Sequence, residues 1–212
     1  MLDELLRQTE LLMQNMRELL DHPICGDTAR IELSYEYALL SLEHSSAVRC
    51  LLGAEIISGA PILLRCQFES LLRSMWVLHC APDEGIDQLK ASQMDGPDPS
   101  NEKLPQGRGM LDELAKKPLL ANAVVSLREF QNHSWKPLNS YVHAGDHPLW
   151  RQVTGYPIAL AVATLHQSNG LAMMTGMQLA ILTGVPHLQR TLIAISERHR
   201  NCLPIRNDQP PE

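Results

Sequence analysis

Arg65, Glu69 and Arg73 follow one another at intervals of four residues in the segment PILLRCQFESLLRSMWVLHC. In an α-helix this spacing aligns the three side chains in one stripe, where opposite charges can pair. The residues beside the stripe are apolar, so part of it is expected to lie inside the protein, where an unpaired charge is costly. Two interpretations stay open: an ion-paired stripe on a solvated edge, or the wall of a polar pocket inside a bundle.

A second polar group lies in the segment LNSYVHAGDHPLW. Helical spacing places Asn139 and His143 on one face, and Gly145 allows the chain to leave the helix beside the imidazole. The pKa of a histidine side chain usually lies near neutral pH, which suits it to binding or chemistry. We therefore predict that Asn139, Tyr141 and His143 join the stripe as ligand-binding residues. The alternative is that His143 has a purely structural role. His143 and His147 have a spacing found in metal sites, but Gly145 interrupts the helix needed to align them. No metal and no cofactor is therefore expected.

The elements that must position these residues are predicted to be helices. Hydrophobic residues make up 44% of the 212 residues and aromatic residues only 4%. Leu, Ala and Met supply most of the apolar content, and they favour helix over sheet. We therefore expect an all-α, single-domain bundle of about six to eight helices over residues 1–203. A long loop is expected near residues 95–109, and a flexible tail over residues 204–212.

Prolines and glycines set the expected helix boundaries. Pro61 opens a central helix that ends near Cys80, and Pro157 opens a long apolar helix. In that long helix, Gly170 and Gly176 allow close contact with a neighbouring helix. The other expected helices cover residues 2–22, 31–57, 110–116, 118–133, a short segment that ends near 145, and a last segment from 186. This division predicts a break in the chain directly after His133.

The net charge and the cysteine content limit which cellular compartment and which class of partner can be expected. The net charge is -6, which disfavours RNA without excluding a local basic patch. Five cysteines without a CxxC pair favour free thiols in a reducing cytoplasm. Polar residues interrupt the most apolar late stretch, 158–185, which favours a buried helix over a membrane span. We therefore expect a cytoplasmic protein with no membrane partner.

The two polar groups together resemble a known pattern. The order Leu-x-Arg-x-x-x-Glu, here in LLRCQFES, followed by Leu-Asn-x-Tyr-Val-His-x-Gly, here LNSYVHAG, is similar to a group of uncharacterised bacterial all-helical proteins near abortive-infection and HEPN-type proteins. The resemblance covers residues 32–200. It implies a helical bundle in which Arg65, Glu69 and His143 converge, and it implies a defence or toxin–antitoxin setting.

HEPN ribonucleases carry an arginine separated from a histidine by four to six residues, and this pair cleaves RNA without a metal. The best match in this chain is Arg128 with His133, because both fall on one predicted helix and the expected break would expose the histidine. No match has the Asn, Asp or His that follows the arginine in the active enzymes. The preferred interpretation is therefore a helical binding module with a polar pocket for a small polar ligand or a protein partner. The alternative is a metal-independent endoribonuclease that acts as a dimer, and a homodimer stays open in either case.

Overall fold

The computed structural model describes residues 1–96 and 104–205, and these residues form helices joined by turns, with no strand among them. Their nine α-helices are α1 (Leu2–Leu19), α2 (Ala29–Gly53), α3 (Ala60–His79), α4 (Asp83–Asp95), α5 (Gly107–Leu114), α6 (Ala121–Val142), α7 (Asp146–Thr154), α8 (Ile158–Leu182) and α9 (Pro186–Arg198). Two short 3-10 helices cover Pro118–Leu120 and Arg200–Cys202. The predicted all-α class is confirmed.

Helix α3 lies at the centre of the bundle and packs against α2, α5, α6 and α8. Pro61 stands in its first turn, where the missing N–H has no intrahelical partner to lose. Its apolar residues Leu64, Phe68, Leu72 and Trp76 are at most 1% exposed. The sequence-based placement of this helix in the core is therefore correct, and its boundaries differ from the expected ones by one residue at each end.

Serine hydroxyls line the contact of α2 with α3 and α8. Ser34, Ser41 and Ser45, which we call the serine seam, are fully buried on one face of α2. The Oγ of Ser34 donates to the Ser74 carbonyl at 3.0 Å, and that of Ser41 donates to the Gln67 carbonyl at 3.1 Å. Further hydroxyl contacts reach α8, from Ser41 to Thr175 and from Ser45 to Ser168. These short side chains let the helices approach closely while every seam hydroxyl keeps a partner.

Helix α8 shows why glycine is useful in a buried helix. A Cβ added at Gly176 would lie 2.7 Å from the Met16 sulfur of α1, and one added at Gly170 would lie 3.0 Å from the Pro204 side chain. Gly176 is therefore a close contact with a neighbouring helix, as expected from the sequence, whereas Gly170 contacts Pro204, which lies outside the helices. No helix in the described part of the chain is long and apolar enough to cross a membrane.

The expected break after His133 is wrong, because α6 runs without interruption from Ala121 to Val142. Pro137 lies inside this helix and removes one backbone donor. The helix continues because Leu127, Ser134 and Leu138 keep burying the same face on both sides of the proline. The free energy gained by packing this continuous buried face thus exceeds the cost of a proline inside a helix, which is about 3 kcal/mol.

Two other boundaries also differ from the expectation. Of the loop expected near residues 95–109, Asp95 belongs to α4 and the residues from Gly107 onward belong to α5. Residues 97–103 lie outside the described residues. The segment after Gly145 is the first turn of α7. Of the tail expected over residues 204–212, the structure describes only residues 204 and 205.

Candidate functional site

A polar cleft of about 580 Å³ opens between α2, α3 and the beginning of α5. We call it the α3 cleft, because α3 contributes half of its wall. Its lining residues are Tyr37 and His44 from α2, Arg65, Cys66, Glu69, Ser70 and Arg73 from α3, the N-cap residue Gln106, and Gly107 and Met110 from the first turn of α5. The charged stripe predicted from the sequence therefore forms one wall of a concave site.

The guanidinium of Arg65 has hydrogen-bonding and ion-pair partners, and an aromatic ring lies against its planar face. Its Nη1 donates to Asn139 Oδ1 of α6 at 2.5 Å, and its Nε donates to Glu69 Oε1 at 3.2 Å. Its guanidinium carbon lies 4.5 Å from the centroid of the Trp135 ring. With the Arg65 side chain 19% exposed and that of Glu69 42% exposed, the pair lies at the mouth of the cleft. Arg65 is therefore held firmly and ties α3 to α6.

An aromatic cluster behind Arg65 fixes the position of Trp135. The Phe68 ring stacks on Phe130 with centroids 4.8 Å apart and meets Trp135 edge-on at 6.0 Å. A Cβ added at Gly107, the first residue of α5, would lie 3.7 Å from the Trp135 ring. The cluster therefore brings the start of α5 close to Arg65. The sequence analysis did not select Trp135 and Phe130 as residues of the site. Their rarity could have marked them, because aromatic residues are only 4% of this chain.

Arg73 contrasts with Arg65 because part of its charge is unmatched. Its Nη1 is buried and has no hydrogen-bond partner among the described residues. Burial lowers the pKa of Arg73, and the nearby Tyr37 and Glu69 oppose that shift. The guanidinium lies 5.5 Å from the Trp76 ring centroid, which is a weak interaction for a cation. Arg73 thus lines the cleft with a guanidinium whose buried Nη1 has no acceptor among the described residues.

Neutral hydrogen-bonding groups line the rest of the α3 cleft. Burial lowers the pKa of His44 and raises the pKa values of Tyr37 and Cys66, so the imidazole, phenol and thiol are uncharged near neutral pH. The Ser70 hydroxyl donates to the Cys66 carbonyl at 2.9 Å and lies 3.4 Å from His44 Nδ1. No sequence motif marks Tyr37 and His44; they share only a seven-residue spacing, which places them on one face of α2.

The second predicted group does not assemble in the cleft. Asn139 serves Arg65, but Tyr141 lies two residues further along α6, about 200° around the helix. Tyr141 is buried, and its pKa is raised first by burial and then by Tyr156. His143 is exposed at the end of α6, where its N–H donates to the Asn139 carbonyl at 3.0 Å. Neither Tyr141 nor His143 lines the α3 cleft, so the convergence of His143 with Arg65 and Glu69 is not found.

The turn after His143 has a specific use for its glycine. Ala144, with φ of 49°, adopts the left-handed conformation, whereas Gly145 does not. A Cβ added at Gly145 would lie 2.7 Å from Ser140 Oγ, so close approach explains this glycine. The same Oγ accepts the N–H of His147 at the start of α7. In the described part of the chain, no three His, Cys, Asp or Glu side chains come together as a potential metal site.

Arg128 and His133 do not form a paired site on α6. Arg128 donates to Asp112 of α5 at 2.8 Å, and His133 Nδ1 contacts the Glu129 carbonyl at 2.8 Å. Five residues of helix separate the two side chains by about 140°, so they project in different directions. Both are exposed, and neither lines the α3 cleft.

Comparison with known proteins adds a family. A family model matches residues 38–205, which include α3, α5, α6 and most of α2. The chain belongs to DUF6988. DUF6988 is described as a family of unknown function, and the match gives no link to HEPN nucleases or abortive-infection proteins. Neither the curated proteins nor the solved structures give a match. All residues that line the cleft in this DUF6988 protein, apart from Tyr37, fall inside the matched range.

Proposed function

We propose that this DUF6988 protein is a binding module that takes a small polar ligand in the α3 cleft. The observation that carries the proposal is the buried Nη1 of Arg73, which has no acceptor among the described residues. Folded proteins rarely leave a buried donor unsatisfied, because the desolvated group loses its hydrogen bonds to water without replacement. A ligand acceptor that reaches the Arg73 guanidinium, once this side chain shifts toward the cleft, would supply the missing partner.

The size and lining of the cleft support the same function. Ligand pockets typically measure about 300–1,000 Å³, and the α3 cleft has a volume of about 580 Å³. Its hydrogen-bonding groups come from α2, α3 and α5, so they are held by packed helices. Such a rigid arrangement suits recognition, because the groups need little ordering when a ligand binds.

Binding fits the cleft better than catalysis does. The Ser70 hydroxyl gives its proton to the Cys66 carbonyl, and burial keeps the Cys66 thiol protonated. A nucleophile needs a base that takes its proton or a lowered pKa. His44 Nδ1 lies 3.4 Å from the Ser70 hydroxyl, but the hydroxyl proton is directed to the Cys66 carbonyl at 2.9 Å instead. The endoribonuclease alternative requires an arginine and a histidine in one positive cleft, whereas Arg128 and His133 face different directions on α6. A bacterial defence setting has support from the sequence resemblance alone.

The test uses a pair of cysteine variants. Cys66 lines the cleft and Cys50 is exposed on α2, so Cys66→Phe fills the site while Cys50→Phe adds the same bulk outside it. Thermal unfolding is measured with a panel of small acids, amines, alcohols and amides at millimolar concentration. We expect at least one compound to raise the melting temperature of the natural protein and of Cys50→Phe, but not of Cys66→Phe.

Two results would count against the proposal. One is a folded Cys66→Phe variant, checked by circular dichroism, that keeps the full shift. The other is a panel in which no compound stabilises the natural protein, since a ligand that binds only the folded state must raise its stability.

A further inference from the structure

We infer that the ligand of the α3 cleft is a small organic anion whose carboxylate or phosphate oxygens bind Arg73, with a hydrogen-bond donor elsewhere in the molecule that binds Glu69. This inference rests on the proposed function and names the chemical class of the ligand. It follows from the distribution of charge in the cleft, from the start of α5 and from the free edge of the Glu69 carboxylate.

The charges that line the cleft leave one positive charge unbalanced. Arg65 and Glu69 form an ion pair with 3.2 Å between Nε and Oε1, so their charges offset each other. Arg73 has no salt bridge within the described residues, although Glu69 lies near enough to influence it. A guanidinium recognises planar or tetrahedral anionic groups through two parallel N–H donors. The unpaired cation therefore favours an anionic group over a neutral or cationic one.

The first turn of α5 adds to the positive potential at the same place. Gln106 is the N-cap residue, and its side chain forms no capping hydrogen bond. Gln106 and Gly107 both line the cleft that contains Arg73. The unsatisfied N–H groups at a helix N-terminus carry a partial positive charge and donate to anions. The helix end supports the anion preference that Arg73 establishes.

Glu69 supplies the complementary feature of the ligand. Arg65 occupies its Oε1, whereas no described residue donates to Oε2. The side chain is 42% exposed and lines the cleft, so a bound molecule can reach it. Glu69 lies one helical turn from Arg73 on the same stripe. A ligand that fills both positions has an acidic group at one end and a hydroxyl or amine donor at the other.

A matched series of aromatic compounds tests the inference. The probes 4-hydroxybenzoate, 4-hydroxybenzamide and 4-hydroxybenzylamine share a ring and a hydroxyl, and they carry negative, zero and positive charge. Phenyl phosphate tests the phosphate form of the anion, and benzoate lacks the hydroxyl. Dissociation constants are measured by calorimetry or by ligand-detected NMR at millimolar concentrations. We expect 4-hydroxybenzoate to bind most tightly, and benzoate and phenyl phosphate, which lack the hydroxyl donor for Glu69, to bind more weakly. The amide and the amine should bind at least about tenfold more weakly than 4-hydroxybenzoate.

Variants separate the two charged positions. Arg73→Gln should weaken 4-hydroxybenzoate binding by about ten- to a hundredfold, the usual range for a lost charged hydrogen bond. Arg73→Lys should retain the preference for the acid over the amide. Glu69→Gln should reduce the advantage of 4-hydroxybenzoate over benzoate. Arg190→Gln, on the exposed surface of α9, is the control and should change none of these constants.

The outcomes distinguish this inference from the proposed function. Equal binding of the amide and the acid, blocked by Cys66→Phe, would overturn the anion inference and leave a ligand-binding cleft. Acid binding that survives unchanged in a folded Arg73→Gln variant would also overturn it. If none of the probes and none of the broader panel binds, both proposals fail.

Discussion

The two arginines of the cleft should respond to the same substitution with opposite changes in stability. In Arg65→Met the chain loses a hydrogen bond to Asn139, an ion pair with Glu69 and a contact with the Trp135 ring. In Arg73→Met the chain loses a charged guanidinium whose Nη1 is buried without a hydrogen-bond partner. Methionine replaces the aliphatic stem in both cases, so the difference between the variants reports on the charged groups.

The expected magnitudes follow from these contacts. Removing Arg65 leaves Asn139 Oδ1 without its donor, and the loss of charged hydrogen bonds predicts a free energy of unfolding lower by about 2–3 kcal/mol. Removing Arg73 ends the desolvation of an unpaired cation and loses only a distant contact with Trp76. Because Arg73 is partly exposed, we expect a modest gain of about 1 kcal/mol. Stability gained at a binding residue is the usual sign of a site kept for function.

Urea unfolding followed by circular dichroism measures both changes. The slope of the free energy with urea should stay constant, which shows that the variants unfold from the same compact state. Arg190→Met, on the surface, is the control and should stay within about 0.5 kcal/mol of the natural protein. A loss of more than about 1 kcal/mol in Arg73→Met would show that Arg73 supports the fold and that its unpaired charge does not lower the stability.

Three further predictions test the fold and the endoribonuclease alternative. Burial lowers the pKa of His79, so protonation favours the unfolded chain. The free energy of unfolding should therefore be at its full value above about pH 6.5 and decrease as the pH drops below it. Urea midpoints at several pH values should show a smaller decrease in His79→Gln. Gln67→Leu removes a fully buried amide that holds two atoms of Ser168, and calorimetry should show a loss of about 1–3 kcal/mol, whereas no loss would mean that the amide is dispensable. Purified protein incubated with RNA, with and without EDTA, should give no cleavage that depends on Arg128 or His133; cleavage abolished by either alanine variant would restore the nuclease interpretation.

The sequence predicts the helical elements where local signals and packing agree. Pro61 marks the start of α3 within one residue, and the apolar content of α3 places it in the core. The signals disagree at α6, where Pro137 indicates an end but the buried positions Leu127 and Leu138 continue the same face. A proline costs a few kcal/mol in a helix, and burial of several side chains exceeds that amount. Only the tertiary structure shows which of the two effects is larger.

The candidate site could be predicted in part for the same reason. The four-residue spacing of Arg65, Glu69 and Arg73 is a property of one helix, so it can be recognised in the sequence. The facing wall depends on which side of α2 packs against α3, and Tyr37 and His44 carry no local pattern that reveals it. His143 shares a helical face with Asn139, yet it lies at the C-terminal end of α6 and is exposed to solvent. Spacing predicts which side chains share a face, whereas their convergence requires the packing of helices.

The serine seam has a consequence for how accurately the cleft is assembled. An interface made only of leucines can slide by a turn at little cost, but a shift of α3 along α2 would separate Ser34 and Ser41 from their acceptors. Each buried hydroxyl left without a partner costs about 1–3 kcal/mol, so the hydroxyls fix the axial position of one helix against the other. That alignment determines the position of Arg73 along the helix axis relative to the cleft residues of α2. Ser41→Ala should therefore broaden the range of cleft geometries, and its effect would be seen in weaker selectivity among ligands before any large change in melting temperature.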